Sequence, residues 1–135
     1  MLFALVDGEK VYAQITYFMD DKELFGTLGK VDTGIEIQTY LISTFPTYIG
    51  RKTTSAEFSD VTELNTIVVK DMQVSGTHGR FIYENGVFYF VILGKNGGVV
   101  DGQIYACNEK AALHDLSQIR IGRIFMQFSL PIKSN

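Results

Sequence analysis

The stretch VSGTHGRFIYENGVFYFVILGKNG, residues 74–97, decides how this sequence is to be read. Inside it, the runs GRFIYE and VFYFVIL flank Asn85-Gly86, and both are rich in aromatic and β-branched residues. Asn-Gly between two such runs is the strongest short-range signal for a two-residue hairpin, because both turn positions need positive φ. A tight antiparallel hairpin is therefore predicted here, with loops on either side of it.

Working outward, further tight turns are predicted at Asn96-Gly97-Gly98 and at Asp101-Gly102, the latter between GVV and QIYAC. QIRIG and IFMQFSL, parted by Gly122-Arg123, read as strands. Upstream, VYAQITYF (11–18), IEIQTYLI (35–42), TYIGRK (47–52) and TIVV (66–69) read as strands too. In the second of these, Ile35, Ile37, Thr39 and Leu41 alternate with Glu36, Gln38 and Tyr40. MDDKELFGTLGKVDTG (19–34) reads as a long loop or a short helical turn, and both stay open. KTTSAEFSDVTELN (52–65) is a loop long enough to suggest function. The one helical candidate is NEKAALHDL (108–116), too short to organise a fold. About ten short strands with frequent turns predict an all-β sandwich.

Composition agrees. A chain of 135 residues is expected to form a single domain with a core that needs no staples. It is 46% hydrophobic and 13% aromatic without Trp, which suits a many-stranded sheet protein and argues against disorder. A net charge of -3 provides no broad basic surface, so direct nucleic-acid binding is not expected. No apolar run reaches the roughly 18 to 20 residues of a membrane span, and the start MLFALVDGEK does not fit a signal peptide. A soluble intracellular protein is expected, and the single Cys107 reads as a small core residue.

Ser75 and His78 invite an enzyme reading, but a nucleophilic Ser needs a base, an orienting group and an oxyanion hole. That context is missing, and residues three apart on an extended segment face opposite ways unless a turn folds them together. Metal binding is no better supported, because His78 and His114 lie far apart without carboxylates at ligand spacing. His78 reads as a structural residue that pins its loop, and His114 as a surface residue. No catalytic residue, metal or cofactor is expected.

Three turn regions make more sense together. IGRKTTS offers Arg51 and Lys52, VSGTHG offers Ser75, Thr77 and the backbone N–H groups around Gly76, and GKNGG offers Lys95 and Asn96. If one end of a sandwich gathers them, the result is an Arg fork, ammonium groups, a hydroxyl, an amide and backbone donors, which is a phosphate receptor.

The order of these motifs resembles the forkhead-associated (FHA) domain, and most closely the FHA domains of forkhead-type transcription factors. The resemblance runs through Ile49-Gly50-Arg51, Val74-Ser75 with His78, and Leu93-Gly94-Lys95-Asn96-Gly97. It continues through Val99-Val100-Asp101-Gly102, Ile119 with Ile121-Gly122, and Phe125 with Phe128 up to Leu130-Pro131. It covers roughly residues 11–131, within one domain of residues 1–135, with an insertion between the first two of the resembling strands.

The resemblance implies an FHA-type sandwich of about eleven mostly antiparallel strands, binding phosphothreonine peptides through loops at one end. By motif, Arg51 would grip the phosphate, Ser75 would donate its hydroxyl, and Gly76 would add a contact. Lys95 and Asn96, joined by Lys52 and Thr77, would hold phosphate and peptide, while Gly50, His78 and Gly97 would shape the loops. The implied partner is a phosphothreonine-containing protein, the implied setting nuclear and transcriptional, without cofactor, membrane or enzymatic activity. Two departures stand out. Gly76 occupies a place where the family commonly has Arg, Lys or Asn, so only a backbone N–H acts from there, and Lys52 or Lys95 would have to compensate. His78-Gly79 stands where relatives carry a small residue such as Ala after the His, a harmless change. The alternative is a phosphate-independent scaffold that docks its partner on exposed positions of FYFVIL or IFMQFSL.

Overall fold

A computed structural model describes residues 1–20 and 36–131. The predicted loop or turn at 19–34 lies outside the described residues except for Met19 and Asp20, as does Ile35 at the head of the 35–42 strand.

Thirteen strands form among the described residues. The first two, β1 (Ala4–Val6) and β2 (Glu9–Val11), make a separate hairpin, followed by β3 (Ala13–Met19), β4 (Gln38–Ile42), β5 (Thr47–Gly50) and β6 (Thr66–Val68). The second half of the chain supplies β7 (Gly79–Glu84), β8 (Val87–Ile92), β9 (Gly98–Val100) and β10 (Gln103–Tyr105). It ends with β11 (Lys110–Leu113), β12 (Gln118–Ile121) and β13 (Ile124–Ser129). One sheet runs β10-β9-β12-β13-β3-β4 and the other β11-β8-β7-β5-β6, so six and five strands make an eleven-stranded sandwich, as the resemblance implies. The pairings are antiparallel except β5 with β6. A parallel pair needs a crossover, here residues 51–65, which end in the 3-10 turn Glu63–Asn65 capped by Thr62.

Alternation builds the core. Ile124, Met126 and Phe128 of β13 and Ile119 and Ile121 of β12 point inward against Phe81, Phe90 and Ile92 of the other sheet. Phe128 bridges the layers, its ring 5.2 Å from Phe88 and 6.4 Å from Phe81. Each such side chain contributes about 1.5–3 kcal/mol through burial.

The hairpin forms where the sequence predicts it, with Asn85 at φ 50° and Gly86 at φ 83° joining β7 to β8. Asp101 and Gly102 turn β9 into β10 in the same way. Two expectations need correction, and the register of β4 shows which of its alternating sides turns inward. Residues 108–116 hold strand β11 rather than a helix, because Ala111 and Leu113 are drawn into the core and β11 pairs with β8; positive φ at Asn108 and Leu116 bounds it. In β4 the inward side carries Tyr40 and Ile42, set by the register Ile15↔Tyr40 and Ala13↔Ile42, so Ile37 and Leu41 face outward. Cys107 is exposed, its thiol donating to the Leu93 carbonyl at 3.3 Å. No helix among the described residues is long and apolar enough to cross a membrane.

This topology places the loops. Ile49 at the end of β5 pairs with Gly79 at the start of β7, and Gly79 pairs with Ile92 at the end of β8. The β5–β6, β6–β7 and β8–β9 loops therefore leave the sandwich at the same end.

Candidate functional site

His78 is the buried centre of these three loops. Its Nδ1 accepts from the Ser75 N–H at 2.9 Å, and its Nε2 lies 2.8 Å from the Gly97 carbonyl. Those partners assign the neutral tautomer with the proton on Nε2. Its own N–H donates to Ile49, and its carbonyl receives Leu93 and Gly94. Burial pushes the imidazole below its ordinary value, outweighing the Gly97 bond and the charge of Asp71, which act the other way. Ser75 and His78 do meet, since the turn folds them together, but through the Ser75 backbone and not its hydroxyl. That geometry makes no nucleophile and base.

The loops lie close to one another. A Cβ on Gly50 would run into the Gly76 carbonyl, and one on Gly94 into the His78 ring. The Arg51 and Lys52 N–H groups donate to the carbonyls of Ser75 and Gly76 at 3.2 and 3.1 Å.

On this frame sit the donors. Arg51 is exposed, with Nε bonded to the Val74 carbonyl at 2.5 Å and Nη1 3.8 Å from the Met72 sulfur. A guanidinium carries five N–H donors, and only Nε is spent on an oxygen among the described residues. Asn96 donates its amide to the Gln73 carbonyl at 2.9 Å, tying the β8–β9 loop to the β6–β7 loop. The Ser75 hydroxyl, the ammonium groups of Lys52 and Lys95, and the N–H groups of Gly76 and Thr77 find no partner among the described residues. Lys52 lies over Gly76, for a Cβ built there would be 3.4 Å from Lys52 Cδ. A recess of about 220 Å³ opens alongside, lined by Lys52, Ser55, Phe58, Gly76 and Thr77 among others. Cations, a hydroxyl and N–H groups without partners among the described residues, carried on adjoining loops, are the donor set that holds a tetrahedral oxyanion.

Three residues that the sequence reading passed over also belong here: Asp71, Gln73 and Arg123. Asp71 is 1% exposed, and its carboxylate accepts the backbone N–H groups of Arg123 at 2.6 Å and Gln73 at 3.1 Å. Burial alone would raise its pKa, but those two bonds and the Arg123 guanidinium hold it below the usual value. Nothing in the sequence pairs Asp71 with a residue 52 positions away. His114, by contrast, is exposed beside Asp101 at 3.3 Å, away from the three loops.

Comparison with known proteins supplies the frame for this geometry. The model of the FHA domain matches residues 47–122, which hold all three loops. The pre-rRNA-processing protein FHL1 of Saccharomyces cerevisiae is 32% identical over 95 residues, 69% of this chain. The chain spans only 10% of that protein's length. Among solved structures, Mycobacterium tuberculosis EmbR in complex with a low-affinity phosphopeptide matches 98% of this chain and 28% of its own, at 19% identity and a TM-score of 0.59. A structure from a study of phosphothreonine-dependent FHA domain interactions matches 89% and 99%, at 20% identity and a TM-score of 0.57. These structures share the fold. The family match covers more than half of the 135 residues, and the chain belongs to the FHA domain family.

Proposed function

We propose that this chain is a phosphothreonine-peptide recognition module that mediates phosphorylation-dependent protein–protein interaction. The observation that carries the reading is the gathering of Arg51, Lys52, Ser75, Gly76, Thr77, Lys95 and Asn96 on three loops around one buried His. A phosphothreonine brings about -1.5 to -2 charges and three acceptor oxygens, whereas unmodified Thr offers that cluster almost nothing. Arg51 takes the phosphate with its outer guanidinium donors, and Ser75 and the Gly76 and Thr77 N–H groups take the remaining oxygens. Lys52 crosses Gly76 and supplies the positive charge that position lacks; Lys95 supplies another from the facing loop. The recess beside Lys52 admits a side chain flanking the phosphothreonine.

FHA domains are interaction modules, not enzymes. The module takes in residues 1–135 with its core at 11–131. Its setting is nuclear and transcriptional, following the resemblance to forkhead-type FHA domains, and its ligand is a phosphorylated protein rather than a nucleic acid or membrane.

One observation favours a second reading, the phosphate-independent scaffold. The outer face of the six-stranded sheet holds a groove of about 610 Å³, where the Phe18 and Phe125 rings stack at 5.5 Å. A titration against a degenerate phosphothreonine peptide library, with its unphosphorylated counterpart as control, decides between them. Phosphate-dependent binding is the expected result. Equal binding of both libraries would overturn the reading and direct attention to the sheet face.

A further inference from the structure

The structure assigns a positioning role to Asp71: clamped by Arg123 of the opposite sheet, it orients the two side chains, Arg51 and Asn96, that flank the anion site. The inference rests on the phosphopeptide reading for the ligand, but its geometry stands by itself.

A carboxylate buried to 1% exposure is costly unless it is fully hydrogen-bonded. Asp71 meets that condition with the Arg123 N–H at 2.6 Å, the Gln73 N–H at 3.1 Å and the Arg123 guanidinium at 3.4 and 3.5 Å. Arg123 sits in the β12–β13 turn and Asp71 in the β6–β7 loop, so the contact ties the two sheets together at the site end. Gly122 makes room for it: its φ is 55°, and a Cβ there would lie 2.5 Å from Asp71 Oδ2.

Two peptide planes downstream of Asp71 have both edges occupied. In the plane between Gln73 and Val74, the N–H donates to the Asp71 carbonyl at 3.0 Å and the C=O accepts Asn96 at 2.9 Å. In the next plane, the Ser75 N–H donates to His78 and the Val74 C=O accepts Arg51 Nε at 2.5 Å. Peptide units are rigid and planar, so fixing one edge aims the other. The Asp71 carboxylate fixes the Gln73 N–H, the Asp71 backbone carbonyl holds the first plane, and His78 fixes the second. Asn96 is thus aimed by a carbonyl whose plane Asp71 holds, and Arg51 by the carbonyl of the next plane, which Asp71 reaches through the first and His78 holds directly. Donors held in place before the anion arrives bind it more tightly than donors that must be ordered on contact.

The test uses the whole chain with Asp71→Asn, which keeps the shape and removes the charge, and Arg123→Met, which keeps the backbone bond and removes the guanidinium. Nitrogen-15 NMR follows the Arg51 Nε–H and the Asn96 side-chain amide, with the Phe90 and Ile119 amides as markers of the core. Phosphothreonine-library binding is measured alongside. In Asp71→Asn the Arg51 and Asn96 signals are expected to shift while the core markers stay, and affinity to fall about three- to tenfold. Arg123→Met should do the same more weakly, and carries the same readouts if Asp71→Asn does not fold. Unmoved Arg51 and Asn96 signals in a folded variant would overturn the assignment. Absence of phosphate preference in the wild type would instead sink the phosphopeptide reading, and the two signals would still decide the positioning role.

Discussion

Arg51 is exposed and holds back most of its guanidinium donors from oxygen among the described residues, and that combination separates binding from folding. Among the described residues only Nε is spent on an oxygen, so Arg51→Ala costs the fold little while removing the fork that a phosphate needs. Losing a desolvated charge partner typically costs about 2 to 5 kcal/mol, against about 8 kcal/mol for a whole micromolar complex. Arg51→Ala is therefore expected to abolish detectable phosphopeptide binding with an unchanged melting temperature; retained binding would refute its assignment. Two glycines beside it behave oppositely. Gly50→Ala drives a methyl into the Gly76 carbonyl and should unfold the loops, whereas a side chain at Gly76 meets only the Lys52 stem at 3.4 Å. Gly76→Arg restores a charge-assisted donor, worth up to about tenfold in affinity. Comparative titrations of the two variants check both outcomes.

Among the elements, the β6–β7 loop responds to pH because His78 is its pin. With the folded imidazole held below 6.5, the unfolded chain takes up a proton first, so the stability this residue contributes is complete above that pH and declines as pH falls through it. Protonation would also turn Nδ1 into a donor facing the Ser75 N–H. The urea midpoint is expected to drop between pH 7.5 and 5.5, and His78→Gln to flatten that slope from a lower starting stability. Binding should weaken over the same range for a second reason, since the second phosphate pKa is about 6. Local chemistry made some elements legible in the sequence and hid others. Asn85-Gly86 dictates its turn whatever surrounds it, whereas residues 108–116 look helical alone and become β11 because β8 offers an edge. Asp7-Gly8 makes the same kind of turn between β1 and β2, at φ 51° and 82°, and went unread because its flanks are so short. The site divides likewise. Arg51, Ser75, Lys95 and Asn96 announce themselves through motif order, but Asp71 and Arg123 acquire meaning only when two sheets meet.

At the level of the whole molecule, the two sheets are held by a core in which Phe128 touches aromatic rings of the opposite layer. Phe128→Ala should cost about 3 to 5 kcal/mol, a large part of the roughly 5 to 15 kcal/mol that stabilises a domain of this size. Chemical denaturation is expected to show the loss, and phosphopeptide binding should survive wherever the fold does, because the rings it meets, Phe81 and Phe88, belong to β7 and β8 and not to the three loops. The web of bonds through His78, Gln73 and Val74 has a bearing on time as well as on structure. A receptor whose parts already grip one another has little rearranging to do at encounter, so association can proceed at the rate that docking itself permits. Changes in the web would then be felt after capture, as shorter residence of the partner, and the lifetime of the signal would be written in the loops rather than in the approach.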